Sequence, residues 1–265
     1  VGLITARQGI EVGARPGVAA SISVDGNMII SGITTLGTTS FTADATINSV
    51  TVGKGANSVA GNTVLGESAL DSVTTGGNNT AVGKDALDAN TTGTENLAIG
   101  FDALGQNTTG SYNIAIGNAA LYTQTTDATQ NVAVGRYSLT YNASGDYNTG
   151  CGNGTLSNNS SGSNNTGVGY DALNDSTTSS NNTAVGYLAL TKNTTGAQNT
   201  AVGANALDAN TTEGYITAIG YNSLSANTTG TKGTAVGSGS LQQNTTGDYN
   251  SALGQSALYT NTTGS

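Results

Sequence analysis

From about residue 62 onward the chain repeats one pattern of apolar and polar positions. A small-to-medium apolar residue is followed by glycine at Gly66, Gly83, Gly100, Gly117, Gly135, Gly152, Gly169, Gly186, Gly203, Gly220, Gly237 and Gly254. Successive glycines are seventeen residues apart, except for eighteen between Gly117 and Gly135, where "TQTTDATQN" carries the extra residue. The unit reads Asn-Thr-Ala-Val-Gly-x-x-Ala-Leu-x-x-Asn-Thr-Thr-Gly-x-x, with the first Asn as position one, and it occurs in twelve copies. Position four is always Val, Ile, Leu or Cys; position nine is Leu in every copy, from Leu70 to Leu258. Positions three and eight are nearly always Ala, Gly, Ser or Thr, whereas six and seven vary freely.

A fixed period of this length is the signature of stacked structural repeats. Helix does not fit, because Gly at five and Asn-Thr-Thr-Gly at twelve to fifteen would break it twice per copy. Positions two to four predict a short strand, rich in Thr, Val and Ile. Positions eight and nine predict a second. Gly at five and "NTTG" supply the corners. The expected fold is an all-β parallel β-solenoid with one copy per coil. Twelve coils at the strand spacing would span about 58 Å. Equivalent residues then lie above one another, so the Asn residues at one and twelve are expected to form hydrogen-bonded ladders. The interior is expected to hold the residue at four, the Leu at nine and the small residues at three and eight.

Two large apolar side chains per coil make a thin core, too little to offset the ordering of seventeen backbone units. A further apolar surface is required, and position two offers one at Leu97, Ile114 and Val132. The chain is therefore expected to form a homo-oligomer. Residues 1–52 do not follow the repeat. Alternation in "SISVDGNMIISGITTL", with Asp25-Gly26 as a turn, predicts a small β-rich shaft, collar or attachment domain ahead of a solenoid over residues 53–265.

Composition narrows the function. The chain has 265 residues, a net charge of −9, 9% charged residues, no His and one Cys. An acidic chain poor in Lys and Arg does not grip nucleic acid or an anionic membrane surface. No apolar run reaches membrane-spanning length, and no signal peptide is visible. Cys151 stands alone, which excludes an intrachain disulfide and a cysteine zinc site.

"NLAIG" (Asn96–Gly100), "NIAIG" (Asn113–Gly117) and "NVAVG" (Asn131–Gly135) resemble the head repeats of trimeric autotransporter adhesins. The longer unit is similar to repeats of bacteriophage tail fibres, cyanophage fibres in particular, as are "GLITARQGIEVGA" and "ISVDGNMIISGITTLGTTSF" near the N-terminus. The resemblance implies a left-handed β-roll-like coil and three-fold assembly. The adhesin heads use a shorter coil than seventeen residues.

Chemistry is sparse. Without His, the usual Ser or Cys nucleophile arrangements are absent. Asp85, Asp102 and Asp171 occupy position seven and Asp71, Asp88 and Asp208 position ten; in degenerate copies these read as solvated surface charge rather than a glycosidase pair or a calcium site. No catalytic, cofactor or metal residue is expected. Cys151 at position four reads as a buried small hydrophobe. The seven Asn-Thr-Thr sequences are formal glycosylation sequons, but corner chemistry with Asn ladders explains their strict spacing better. Phe101, Tyr137, Tyr170, Tyr187 and Tyr221 fall at positions six and seven and are expected to be exposed, available to sugar rings or neighbouring chains.

The expected function is structural and adhesive, not enzymatic. The reading is a phage tail fibre projecting from the virion, with tail or baseplate proteins and a host-surface glycan or protein as partners. A bacterial surface adhesin or extracellular filament is the alternative, followed by an ice-binding solenoid using the Thr of "NTTG".

Overall fold

The computed structural model describes residues 44–124 and 127–265. The β-rich domain expected over residues 1–52 falls outside the described residues as far as residue 43, and so does the turn expected at Asp25-Gly26. Within the described chain, fourteen short strands form one sheet whose spatial order is the order of the sequence. Strands β1 (Ala45–Ile47) and β2 (Val50–Gly53) make an antiparallel hairpin, and β2 pairs antiparallel with β3 (Thr63–Gly66). From β3 through β4 (Thr80–Val82) and onward to β14 (Ser251–Leu253), every pairing is parallel and in register. Thr80 lies on Leu97, Ala81 on Ala98, and Val82 on Ile99. Each seventeen-residue copy is thus one coil of a parallel β-solenoid. The antiparallel hairpin covers the first coil, with the Asp44 carboxylate accepting the N–H groups of Lys54 at 2.8 Å and Gly55 at 2.6 Å.

The two asparagine columns form as the sequence predicts. At position one, from Asn79 to Ile216, each backbone N–H donates to the side-chain carbonyl of the Asn one coil earlier: Asn79 to Asn62 at 2.8 Å, Asn96 to Asn79 at 2.9 Å, Asn113 to Asn96 at 3.0 Å; the column stops where Ile216 and Gly233 replace Asn. At position twelve, side-chain amides hydrogen-bond along the stack, Asn107 to Asn90 at 3.0 Å and Asn210 to Asn193 at 3.0 Å. Both columns meet at the carbonyl of position fifteen in their own coil. Gly93 O accepts Asn79 Nδ2 at 2.9 Å and Asn90 Nδ2 at 3.1 Å. The sequon asparagines Asn90, Asn107, Asn193, Asn210, Asn227 and Asn244 are buried in this network. Their amides are therefore out of reach of any modifying enzyme once the coil has formed.

Two expectations are corrected. Positions eight and nine do not form a strand; they are turn. Residues seven and nine of every copy have positive φ, +48 to +66° at seven and +48 to +55° at the leucines, while six and eight do not. This alternation turns successive N–H groups to opposite neighbours. Asp85 N–H donates back to Glu67 O at 2.9 Å, and Leu87 N–H donates forward to Ala103 O at 3.0 Å. Leu is a costly residue at positive φ. It is held there because its side chain is the largest apolar group inside: Leu70 through Leu241 are fully buried, and only Leu258 in the final coil is exposed.

The second correction concerns position four. In N-T-A-V-G the strand alternates, so Asn at one and Ala at three face inward while two and four face out. Ala81, Ala98, Ala115 and Ala133 are fully buried, whereas Ile99, Val168, Val185 and Ile219 are 36–38% exposed. Cys151, expected to be buried, is exposed for the same reason. The first coil buries Val64 at position three, and beyond it the space between facing walls goes to Ala or Gly. Local volume is balanced closely. Where position eight enlarges to Ser138 and Thr155, position three of the next coil shrinks to Gly150 and Gly167. A Cβ on Gly150 would lie 2.5 Å from Ser138 Oγ, and one on Gly167 2.5 Å from Thr155 Cγ2.

The extra residue of the eighteen-residue copy is absorbed away from the strand. Ile114 still pairs with Val132. At position twelve the longer Gln124 replaces Asn, and its amide reaches the Ala128 carbonyl that stands in for position fifteen.

Candidate surface-contact site

All five aromatic residues singled out from the sequence are exposed: Phe101, Tyr137, Tyr170, Tyr187 and Tyr221. The positive φ at seven and the Gly at five push the six–seven segment outward, which frees these side chains from the core. Only Tyr170 and Tyr187, on consecutive coils, touch: their rings stack at 5.6 Å with 17° between planes. The charge of Asp171 raises the pKa of the Tyr170 phenol, with a hydrogen bond to the same carboxylate adding to it. Tyr137 carries the Arg136 guanidinium 4.3 Å from its ring centre and accepts from Nη2 at 3.0 Å. Phe101 and Tyr221 stand apart from this group on coils three and ten.

A second aromatic column was not anticipated. Tyr112, Tyr147, Tyr215 and Tyr249 occupy position seventeen and are exposed. Lys232 sits 4.9 Å over the Tyr249 ring and donates to its hydroxyl at 3.1 Å. Counting back one residue from position one would have found them, since Tyr stands there before Asn113, Asn148, Ile216 and Asn250.

Tyr137 also lines a concavity of about 340 Å³ with Tyr141, Asn153, Gly154, Asp171 and Asn174. The groove exists because position seven of the middle coil is Gly154, with no side chain to fill the column. Asp171, the position-seven residue one coil on, leans into that space, and a Cβ at 154 would collide with its Oδ1. Asn174 holds the floor, donating through Nδ2 to Gly154 O at 2.7 Å and to Asp171 Oδ1 at 3.3 Å.

The carboxylates divide into local environments. Burial, followed by repulsion from Asp85, raises Asp102; burial first, with Asp85, Asp102 and Asp71 adding, raises Asp88. Lys84 bridges Glu67 at 3.3 Å and Asp85 at 3.2 Å on the surface. Among the described residues no cluster of three or more His, Cys, Asp or Glu comes together to hold a metal ion.

The outward face of the sheet is chemically distinct. Positions two and four form two adjoining columns of Thr, Val, Ile and Leu, interrupted by Cys151 and Ser251 and by no charged residue from Thr63 to Leu253. The charged side chains of the coils lie elsewhere, at position six and beyond. No family model matches the chain, and no curated protein or solved structure is significantly similar to it.

Proposed function

We propose that the chain is the shaft of a homo-oligomeric extracellular fibre, a phage tail fibre that projects from the virion and contributes to host-surface attachment. The uncharged outward columns carry this reading, position four with its Val, Ile and Leu and position two with Leu97, Ile114 and Val132 among its threonines. They make a strip about 58 Å long and about 10 Å wide, roughly 600 Å² per chain. That is of the same order as the about 800 Å² each partner buries in a standard interface. An uncharged strip with an outward Val, Ile, Leu or Cys at position four of every coil is costly to leave in water. Three chains packed on it around a common axis, the arrangement of the adhesin heads that the repeats resemble, supply the burial that a narrow coil lacks. Charges and tyrosines then face outward, toward solvent and the surface to be bound. A bacterial surface adhesin uses the same architecture and differs in what the shaft is attached to.

Cys151 reports on this interface directly, since it sits in the position-four column. Analytical ultracentrifugation is expected to give a trimer in which a thiol reagent labels Cys151 only after dissociation. Val202→Asp is expected to yield monomers with a freely labelled thiol. A monomeric wild-type chain with a reactive Cys151 would overturn the reading. Immunogold microscopy of purified particles distinguishes virion from cell surface.

Ice binding is the second reading, favoured by one observation. Position two is Thr in six consecutive coils, Thr149 to Thr234, in register beside a column of Val, Ile and Cys. The "NTTG" threonines are less free to supply such a face, because Thr91, Thr194, Thr228 and Thr245, each the first of its pair, spend their hydroxyls on the next coil, as Thr91 Oγ1 does on Thr108 O at 2.9 Å. Thermal hysteresis from a monomeric chain would select ice binding over the fibre.

A further inference from the structure

We infer that the groove over Gly154 is a binding site for a neutral saccharide. This deepens the attachment part of the fibre reading by giving it a place and a ligand class. Small-ligand sites combine concavity, aromatic surface and a few fixed polar groups, and their volumes begin at about 300 Å³. The groove, at about 340 Å³, has the size for one or two sugar rings. Tyr137 and Tyr141 present ring surface at its wall, 40% and 54% exposed. A pyranose ring offers aromatic faces a flat set of C–H groups. The Tyr141 hydroxyl can bond its rim, and the Tyr137 hydroxyl, whose oxygen accepts from Arg136 Nη2 at 3.0 Å, still has its own hydrogen to donate.

The polar groups suit hydroxyls in both directions. The Asp171 carboxylate accepts, and its orientation is fixed by Asn174 Nδ2 at 3.3 Å. Asn153 projects from position six of the middle coil and adds a side-chain amide to the lining. Charge selects against acidic sugars. No Lys or Arg lines the groove, the nearby Arg136 guanidinium is engaged on the Tyr137 ring, and Asp171 repels a carboxylate or sulfate. The site is a departure from the repeat rather than a product of it. Position seven elsewhere carries Asp, Asn, Ser, Ala, Tyr or Leu, and Gly239, the other glycine at that position, has Asn222 and Ala226 on the preceding coil where Gly154 has Tyr137 and Tyr141.

The test uses the purified full chain on an array of immobilised neutral, sialylated and sulfated oligosaccharides, followed by titration with the best neutral oligosaccharide retained. Retention of neutral oligosaccharides is expected. Tyr141→Ala is expected to weaken binding at least tenfold, and so is Gly154→Asn. The latter refills the floor without straining the backbone, because Asn205 and Asn222 hold the same position at φ +54° and +53°. Tyr112→Ala, far from the groove, is expected to bind as the wild type does. No retention, retention of acidic glycans alone, or undiminished binding by Tyr141→Ala would overturn the proposal. The array reads binding whatever the shaft is attached to, and ultracentrifugation reads assembly whatever it binds, so the two readings fail separately.

Discussion

The side-chain carbonyl of Asn165 accepts the backbone N–H of Asn182, one coil later, at 3.0 Å, while its amide donates to Ser179 O in its own coil at 2.8 Å. One side chain thereby satisfies two buried backbone groups that run in different directions, one along the stack and one across the coil. Buried backbone groups must find partners, and Asn165 supplies them for both.

Asn165→Ala removes both bonds and orphans both groups. At about 1–3 kcal/mol for each unsatisfied buried group, a loss of about 2–6 kcal/mol is expected. Chemical denaturation monitored by circular dichroism measures it. A loss below about 1 kcal/mol would mean that the ladder is incidental to stability.

Thr155 and Gly167 are expected to be energetically coupled. Gly167→Ala alone brings a methyl within 2.5 Å of Thr155 Cγ2 and overpacks the coil, at about 1–3 kcal/mol. Thr155→Ala should relieve most of that cost, because the Ala–Ala combination is the one that Ala189 and Ala201 adopt elsewhere in the stack. A double-mutant cycle of denaturation free energies tests this, and simple additivity would contradict it.

Gly186 is bound by two constraints at once. Its φ is +141°, and a Cβ there would lie 2.5 Å from Gly203 O in the next coil. Gly186→Ala is expected to destabilise by at least about 1–3 kcal/mol from backbone strain alone. An unchanged melting temperature would show that the corner tolerates a side chain.

Asp208 gives the solenoid a pH response of unusual sign. Burial raises its pKa above the ordinary carboxylate value, Lys192 opposes this, and one carboxylate oxygen is buried without a hydrogen-bond partner. The folded state therefore holds this proton more tightly than the unfolded chain. Its contribution is fully present below the unfolded value near 3.8 and is lost as pH rises through the raised folded value. Asp208→Asn, which keeps the shape without the charge, is expected to raise the melting temperature at pH 7 more than at pH 3. Equal melting curves for the two proteins at both pH values would exclude the effect.

The repeat length, the register, the leucine column and the Asn ladders were all legible in the sequence. Each depends on identical residues recurring at a fixed interval, and stacking turns recurrence directly into contact. What misled was size. Val, Ile and Cys151 at position four look like core residues beside Ala at three, yet strand alternation from the inward Asn at one puts Ala inside. The constancy of that Ala was the better signal. The conformation of positions seven to nine was not legible, since no propensity places Leu at positive φ. There the packing of one buried side chain overrides the local preference of the backbone. The groove at Gly154 was equally hidden, because its parts come from three coils and its defining feature is a missing side chain.

The fixed direction of the inter-coil hydrogen bonds has a mechanical corollary. Bonds such as Gly83 N–H to Leu65 O and Thr80 N–H to Asn96 O link one coil to the next, so tension applied along the stack loads them nearly head-on. A chain pulled from one end should therefore peel coil by coil rather than shear as a block. Each released coil frees seventeen residues, about 58 Å of extended backbone, and removes about 4.8 Å of stack. A force spectrum of evenly spaced steps, each about 53 Å, is the trace such a molecule should leave.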